Sequence, residues 1–276
     1  MQENKVIAVD LGGTNLRTAY LEKGKIQRYL KLKTPETKKE LIECLFDSID
    51  CLIRVYPGVK KIGIASPGPL LNGVILNPPN LPLRNFNLEK ALKIKFKNFK
   101  VKIKVENDAN CVALAEAKLG CKKSNFIVLT LGTGIGGGII INNQIYKGAG
   151  LAGELGHIIL DDQKDFETLG AWKATKKLTK KYFKKELKTK DLFSIKDKNS
   201  KKILFEISNY LGQGIGSLIN VFDPEIVVLA GGVSETGDKF IKLIKKETYK
   251  YVILPKKTPI VWSKLKDPGI IGASLL

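Results

Sequence analysis

Five consecutive residues, Glu106-Asn107-Asp108-Ala109-Asn110, put a carboxylate where it could take a proton from a hydroxyl. Upstream, Val101-Lys102-Ile103-Lys104-Val105 alternates apolar and charged residues as a half-buried strand does. Downstream, Ala113, Ala115, Glu116, Ala117 and Leu119 are helix formers running to Gly120. Asp108 therefore falls where a strand gives way to a helix. Backbone N–H groups and the dipole at a helix start favour a charged carboxylate, so Asp108 is expected to be ionised at neutral pH and able to act as a phosphoryl-transfer base. A plain helix cap is the commoner use of Asn107, Asp108 or Asn110 in such a place, and the pentad alone leaves both readings open.

Two glycine turns offer complementary chemistry. Val6-Ile7-Ala8-Val9 runs into Asp10-Leu11-Gly12-Gly13-Thr14-Asn15, and strand character resumes from Leu16 to Leu21. Phe126-Ile127-Val128-Leu129-Thr130 runs likewise into Leu131-Gly132-Thr133-Gly134-Ile135-Gly136-Gly137-Gly138 and a second strand, Ile139-Ile140-Ile141. Such turns bring bare N–H groups and threonine hydroxyls close to an anion. Gly132 to Gly137 fits GxGxxG, but a strand follows instead of a helix, so the dinucleotide fingerprint fails on context, and no GxxxxGK[ST] occurs. One such turn is as readily an ordinary hairpin. Two matched copies imply a duplicated unit, one per lobe, with a cleft between.

The elements that must position these residues can be read in outline. Glu40 to Val55 has helical apolar spacing; Lys61-Ile62-Gly63-Ile64-Ala65 is a buried strand closed by Ser66-Pro67-Gly68-Pro69-Leu70. Asn77-Pro78-Pro79-Asn80-Leu81-Pro82 is too proline-rich for a helix and reads as an extended loop. Gly148 to His157 holds Glu154 and the single histidine three residues apart among small residues, a pair that alone suits a structural role better than a functional one. Trp172 to Lys190 reads as one lysine-rich amphipathic helix and Ile203 to Val221 as a long helix with three glycines. Glu225 to Ala230 is a buried strand ending at a third glycine turn, Gly231-Gly232-Val233-Ser234, and Asp267-Pro268-Gly269 opens a C-terminal helix.

Composition bounds the rest. The 276 residues are 43% hydrophobic, enough for a full core in one large or two modest domains. No apolar run approaches a membrane span, and Met1-Gln2-Glu3-Asn4-Lys5 leads straight into a strand without a signal-peptide pattern, so a cytoplasmic protein with no membrane partner is expected. Cys44, Cys51, Cys111 and Cys121 form no CxxC and read as reduced core thiols. The net charge of +20 invites a nucleic-acid reading, but the excess is nearly all lysine, densest from Lys173 to Lys202, without a helix-turn-helix, zinc-finger or RNP signature. Solvated lysine faces are the better reading, and they would attract an anionic nucleotide.

In chain order, Asp10-Leu11-Gly12-Gly13-Thr14, Ala65-Ser66-Pro67-Gly68-Pro69, Glu106 to Asn110, Leu131 to Gly138, Gly153-Glu154-Leu155-Gly156-His157 and Gly231-Gly232-Val233 resemble the motifs of the ROK family of sugar kinases and repressors. The match spans essentially the whole chain. The resemblance implies an α/β fold of the actin-like ATPase (ribonuclease H-like) type, duplicated, with two lobes and a central cleft. A small lobe is expected over 1–108, completed by the C-terminal helix at about 267–276, and a large lobe over 109–266. Repressors of the family begin with a helix-turn-helix; here a strand begins at Lys5, which points to a kinase most like the glucokinases.

By that resemblance, Asp108 is the base that deprotonates the sugar hydroxyl as it attacks the γ-phosphate of ATP. Asn80, Asn107, Glu154, His157 and Glu167 match sugar-binding positions. Gly12, Gly13, Thr14, Thr133, Gly134 and Gly232 match nucleotide-contacting positions, and Asp10 matches the carboxylate near Mg²⁺. A homodimer is implied as well. The family usually follows the Gly-His pair with CxCGxxGCxE, whose cysteines bind zinc together with the histidine; here Asp161-Asp162-Gln163-Lys164-Asp165-Phe166-Glu167 lacks all three cysteines, so no structural zinc is expected. Glucose is the first expectation for the sugar. N-acetylglucosamine, N-acetylmannosamine or fructose is the alternative, because the residues that choose among sugars lie in the altered segment. A sensor that binds sugar without turnover is a different class, which an intact Asp10 and Asp108 argue against.

Overall fold

The computed structural model describes residues 5–78 and 80–276; Met1 to Asn4, ahead of the first strand, and Pro79, within the proline-rich loop, lie outside the described residues. Strands β1 (Lys5–Leu11), β2 (Asn15–Glu22) and β3 (Lys25–Lys33) form an antiparallel meander. Helix α1 (Lys38–Val55), capped by the Thr37 hydroxyl, buries Leu41, Leu45, Ile49 and Leu52 along one face. It leads to β4 (Lys61–Ser66), which returns parallel to β1. A small ribbon, β5 (Leu70–Leu71), β6 (Val74–Ile75) and β7 (Phe86–Asn87), and helix α2 (Leu88–Lys95) precede β8 (Lys102–Asn107), parallel to β4. The sheet order is β3-β2-β1-β4-β8, and α3 (Asp108–Lys118) follows β8 without an intervening loop.

Both faces of this sheet are apolar because its parallel strands are covered on two sides. Ile7, Val9, Ile62 and Ile64 meet α1 on one face. Ala8 and Ala65 meet Cys111 of α3 and Ile270 and Ala273 near the C-terminus on the other. Each fully buried aliphatic side chain contributes about 1.5–3 kcal/mol.

The second sheet repeats the first. Strands β9 (Phe126–Leu131), β10 (Ile135–Ile141) and β11 (Gln144–Ile145) form the meander. A hairpin, β12 (Ile159–Asp161) with β13 (Lys164–Asp165), leads into short helix α4 (Phe166–Gly170), then α5 (Trp172–Phe183), α6 (Thr189–Leu192) and α7 (Lys198–Phe222). Strand β14 (Ile226–Ala230) runs parallel to β9, and after α8 (Asp238–Thr248) β15 (Ile260–Trp262) runs parallel to β14. The order β11-β10-β9-β14-β15 matches that of the first sheet strand for strand, which is the duplication the two glycine turns announce.

Two expected helices differ in extent. The stretch from Trp172 to Lys190 is not one helix: α5 stops at Phe183 because Lys184 turns left-handed at φ 56°, and the Thr179 hydroxyl then accepts the Leu187 N–H at 3.3 Å. Helix α7 starts five residues before Ile203, where the Asp197 carboxylate caps Asn199 N–H.

Contacts gather the chain into two units. One comprises the residues up to Leu119 with Lys147–Ala152 and Leu265–Leu276; the other comprises Gly120–Tyr146 and Gly153–Lys264. Helix α3 thus goes with the first unit, beyond the boundary read at Asp108. The reason is close packing on α9 (Pro268–Ser274): a Cβ on Gly272 would lie 1.8 Å from the Cys111 carbonyl oxygen, so only glycine lets the two backbones approach this closely.

Candidate active site

In the first unit, β1, β4 and β8 end at one edge of the sheet, with Asp10 opposite Ala65 and Ser66 opposite Asn107. Carboxyl ends of parallel strands are where open α/β sheets receive ligands. Asn107 is the cap of α3: its Oδ1 accepts from Ala109 N–H (2.9 Å) and Asn110 N–H (3.2 Å), and its Nδ2 donates to the Gly68 carbonyl (3.2 Å). Asp108 is the first residue of the helix, with Oδ1 2.8 Å from Ala109 N. The capping role and the candidate base are thus separate residues. Asn107, matched to a sugar-binding position, has its carbonyl and amide engaged within the protein.

Two cations that sequence reasoning missed stand behind this edge. Glu106, almost fully buried, accepts from Asn107 N–H and from Asn110 Nδ2 (both 3.0 Å), and Lys147 pairs with its other oxygen. Arg17 Nη1 donates to Asp10 Oδ2 at 2.7 Å. Burial pushes the Asp10 carboxyl up from its ordinary value, and the Arg17 partner only partly offsets this. The Cys111 thiol is pushed well up, by burial first and then by the carboxylates of Glu106, Asp108 and Asp10. The Ser66 hydroxyl, also buried at this edge, has no hydrogen-bond partner among the described residues.

Gly12, Gly13 and Thr14 form the β1–β2 turn. Gly12 N–H donates to the Asn15 carbonyl (3.0 Å), the Thr34 hydroxyl donates to the Gly12 carbonyl (2.6 Å), and Thr34 N–H donates to the Thr14 carbonyl (3.0 Å). Gly13 and Thr14 are exposed. Asn80 lies against this turn, since a Cβ on Gly13 would come within 2.6 Å of the Asn80 Cβ. Asp10, Gly12, Gly13, Thr14, Asn80, Asn107 and Asp108 therefore belong to one unit.

In the second unit, β9 and β14 are parallel neighbours with Thr130 opposite Ala230, so the turn with Thr133 and Gly134 and the turn with Gly232 sit side by side. Thr133 and Gly232 are exposed. Glu167, at the start of α4, reaches under the first turn. Its Oε2 accepts from Ile135 N–H at 2.9 Å, and a Cβ on Gly134 would fall 2.0 Å from that oxygen. Lys173 stands 3.4 Å from Oε1. Glu167, expected from the sequence to bind sugar, here braces the glycine turn.

Glu154 and His157 bracket the turn of 3-10 helix Leu155–His157. His157 Nδ1 lies 2.8 Å from Asp165 Oδ2, and Thr168 N–H donates to Asp165 Oδ1 at 2.8 Å. The Asp165 hydrogen bond, foremost, raises the His157 pKa above its ordinary value, with Glu167 and Glu154 adding to it. Burial raises the Glu154 pKa, although His157 works against this. For Asp165, burial pushes up but the bonds from Thr168 and His157 prevail, and its pKa falls. Glu154 and His157 therefore act on each other's charge, and Glu167 is near enough to act on both.

With this geometry in view, residues 6–276 match the ROK family. The chain belongs to the ROK family. Over 321 residues it is 30% identical to a glucokinase of Halalkalibacterium halodurans, covering 100% of this chain and 96% of that one. Over 314 residues it is 27% identical to a xylose repressor of Caldicellulosiruptor bescii, covering 98% and 78%. A solved ROK hexokinase from Thermus thermophilus has a TM-score of 0.84 at 28% identity, with 98% and 97% covered. The fold is the actin-like ATPase fold of the ROK sugar kinases.

The zinc expected of a ROK protein does not fit these residues. His157 has its Nδ1 engaged by Asp165, and the segment from Ile158 to Gly170 contains no cysteine to complete a thiolate-rich tetrahedral set. A nucleotide-bound Mg²⁺ fits better: it takes one or two carboxylates and completes its shell with phosphates and water, and Asp10 offers a carboxylate at the strand edge beside the glycine turn. Among the described residues no helix is long and apolar enough to cross a membrane.

Proposed function

We propose that the protein is an ATP-dependent hexose kinase, with glucose as its first candidate substrate, working in the cytoplasm as a homodimer. The observation that carries this reading is Asp108 as the first residue of α3, with Asn107 taking the cap and Asp10 at the same sheet edge. A regulator that only binds sugar has no need of a carboxylate in that place.

In the proposed reaction a sugar hydroxyl oxygen attacks the γ-phosphorus of ATP. Asp108 accepts the hydroxyl proton, the bond from the γ-phosphorus to the β,γ-bridging oxygen breaks, and ADP departs. Backbone N–H groups of Gly13 and Thr14, of the turn at Thr133–Gly134 and of Gly232 donate to phosphate oxygens, because glycine leaves the backbone bare in these turns. Asp10 would hold Mg²⁺ with the nucleotide, and the ion would supply charge neutralisation. Asn80, Glu154, His157 and Glu167 read the sugar hydroxyls. Positioning and electrostatics do most of the work, and proton removal adds roughly 10²–10⁴-fold.

The test is ATP consumption with Mg²⁺ against glucose, mannose, fructose, N-acetylglucosamine and N-acetylmannosamine. Turnover with glucose is the expected result; preference for another member reassigns the sugar within the kinase class. A second reading, a sugar sensor, draws on the 27% identity to a xylose repressor. No turnover, with sugar-dependent thermal stabilisation, would replace the kinase with the sensor.

A further inference from the structure

We infer that Asp165 is a positioning residue that fixes both the tautomer of His157 and the start of the helix carrying Glu167. The inference rests on the proposed sugar-binding roles of His157 and Glu167. One carboxylate performs both tasks: Oδ2 holds His157 Nδ1 at 2.8 Å, while Oδ1 takes Thr168 N–H at 2.8 Å as the cap of α4. Glu167 lies in the first turn of that helix, and its own carboxylate is tied to Ile135 N–H. A single side chain thus connects the histidine to the glutamate and, through it, to the glycine turn.

Local structure shows how Asp165 reaches this place. Strands β12 and β13 are joined by Asp162 and Gln163, both at positive φ (34° and 62°), the conformation of a tight turn that follows the twist of the hairpin. The turn brings the chain back on itself, and Phe166 N–H donates to the Ile158 carbonyl at 2.8 Å. Asp165 is thereby delivered beside His157, eight residues earlier in the chain.

The chemical consequence lies at the other nitrogen. A carboxylate can only accept, so a neutral His157 must carry its proton on Nδ1, leaving Nε2 as an acceptor. The His157 side chain is 60% exposed, and with Nδ1 taken by Asp165, Nε2 is the ring nitrogen left for a ligand. An imidazole held in this way accepts from a sugar hydroxyl; the opposite tautomer would have to donate to it. In this chain the ordering of His157 and α4 falls to a carboxylate and a tight hairpin, with no thiolate involved.

Asp165→Asn separates the two tasks. Asparagine caps a helix as well as aspartate does, so the melting temperature should stay near the parent value. Its amide, however, can donate to Nδ1 and move the histidine proton to Nε2. The chain has one histidine, so ¹⁵N spectra report its tautomer without assignment ambiguity. At alkaline pH the parent should show the Nδ1-protonated form, and the variant should shift towards the Nε2-protonated form. The hexose KM should rise by roughly tenfold or more, the scale on which outer partners of a functional histidine act, while the ATP KM moves little. An Nε2-protonated parent would overturn the inference. So would equal KM changes for both substrates, or none, in an active enzyme. If the parent has no kinase activity, the kinase reading fails and the tautomer measurement still decides the role of Asp165.

Discussion

Asp10 and Arg17 face each other across β1 and β2, and the guanidinium holds the carboxylate at 2.7 Å beside the glycine turn that separates them in sequence. Removing the cation should leave a mostly buried acid without its partner. Arg17→Gln is expected to destabilise the fold by about 1–3 kcal/mol, towards the low end because the guanidinium is about a third exposed. The pH dependence has a definite sign. Asp10 has its pKa raised in the folded protein, by burial foremost, so between the ordinary aspartate value of about 3.9 and the folded value the native state keeps a proton that the unfolded state has lost. Stability attributable to Asp10 therefore falls as pH rises through that window. Loss of Arg17 should raise the folded value further and deepen the fall. Urea unfolding at pH 4 and pH 8, in parent and variant, tests this; an equal pH dependence in the two would sink it.

Asp108→Asn should lower kcat by roughly 10²–10⁴-fold and leave hexose binding largely intact, because the amide keeps the shape but cannot take the proton. Calorimetric sugar titration alongside turnover checks both halves. Near-parental kcat would remove Asp108 from the role of base.

Gly134→Ala places a methyl group where Glu167 Oε2 now sits, so the carboxylate must let go of Ile135 N–H. A loss of about 1–2 kcal/mol and weaker nucleotide binding are expected, since the turn loses its brace. Combining it with Glu167→Ala should cost less than the sum of the two changes, as the clash is then relieved. Strict additivity in unfolding experiments would show that the two residues do not compete for space.

The sole histidine should titrate above the ordinary value of about 6.5, because the Asp165 hydrogen bond favours its charged form and Glu167 and Glu154 add to this. The stabilisation it brings should be complete below pH 6.5 and disappear as pH rises through the folded value. In Asp165→Asn the midpoint should move down. Proton NMR of the imidazole C2 signal measures it directly, and a midpoint at or below 6.5 in the parent would contradict the geometry.

Much of the fold can be read along the chain because its signals are local. The alternation before Asp108 changes to alanine-rich sequence at the residue where β8 becomes α3, and the duplicated sheets follow from two similar glycine turns. The Asp10–Arg17 pair could have been found by counting outward from the Gly12–Gly13 turn, since antiparallel register makes them opposite. Lys147 could not: its partner Glu106 is 41 residues away, and only tertiary packing brings them together. The break in the Trp172–Lys190 stretch was hidden for another reason, because a lysine in the left-handed conformation leaves no mark in a lysine-rich sequence. Asp165 was concealed likewise by Asp162 and Gln163, which are not the residues that usually announce a tight hairpin.

The first unit takes in Leu265–Leu276, so its opening strands are covered on one face by a helix that follows the whole of the second unit in the chain. During synthesis, Ala8 and Ala65 must wait for Ile270 and Ala273 while the whole of the second unit emerges. A sheet held open for that long is a target for chaperones and for aggregation. The C-terminal dozen residues thus act as a clasp, and the folding yield of the first unit should depend on how promptly it closes.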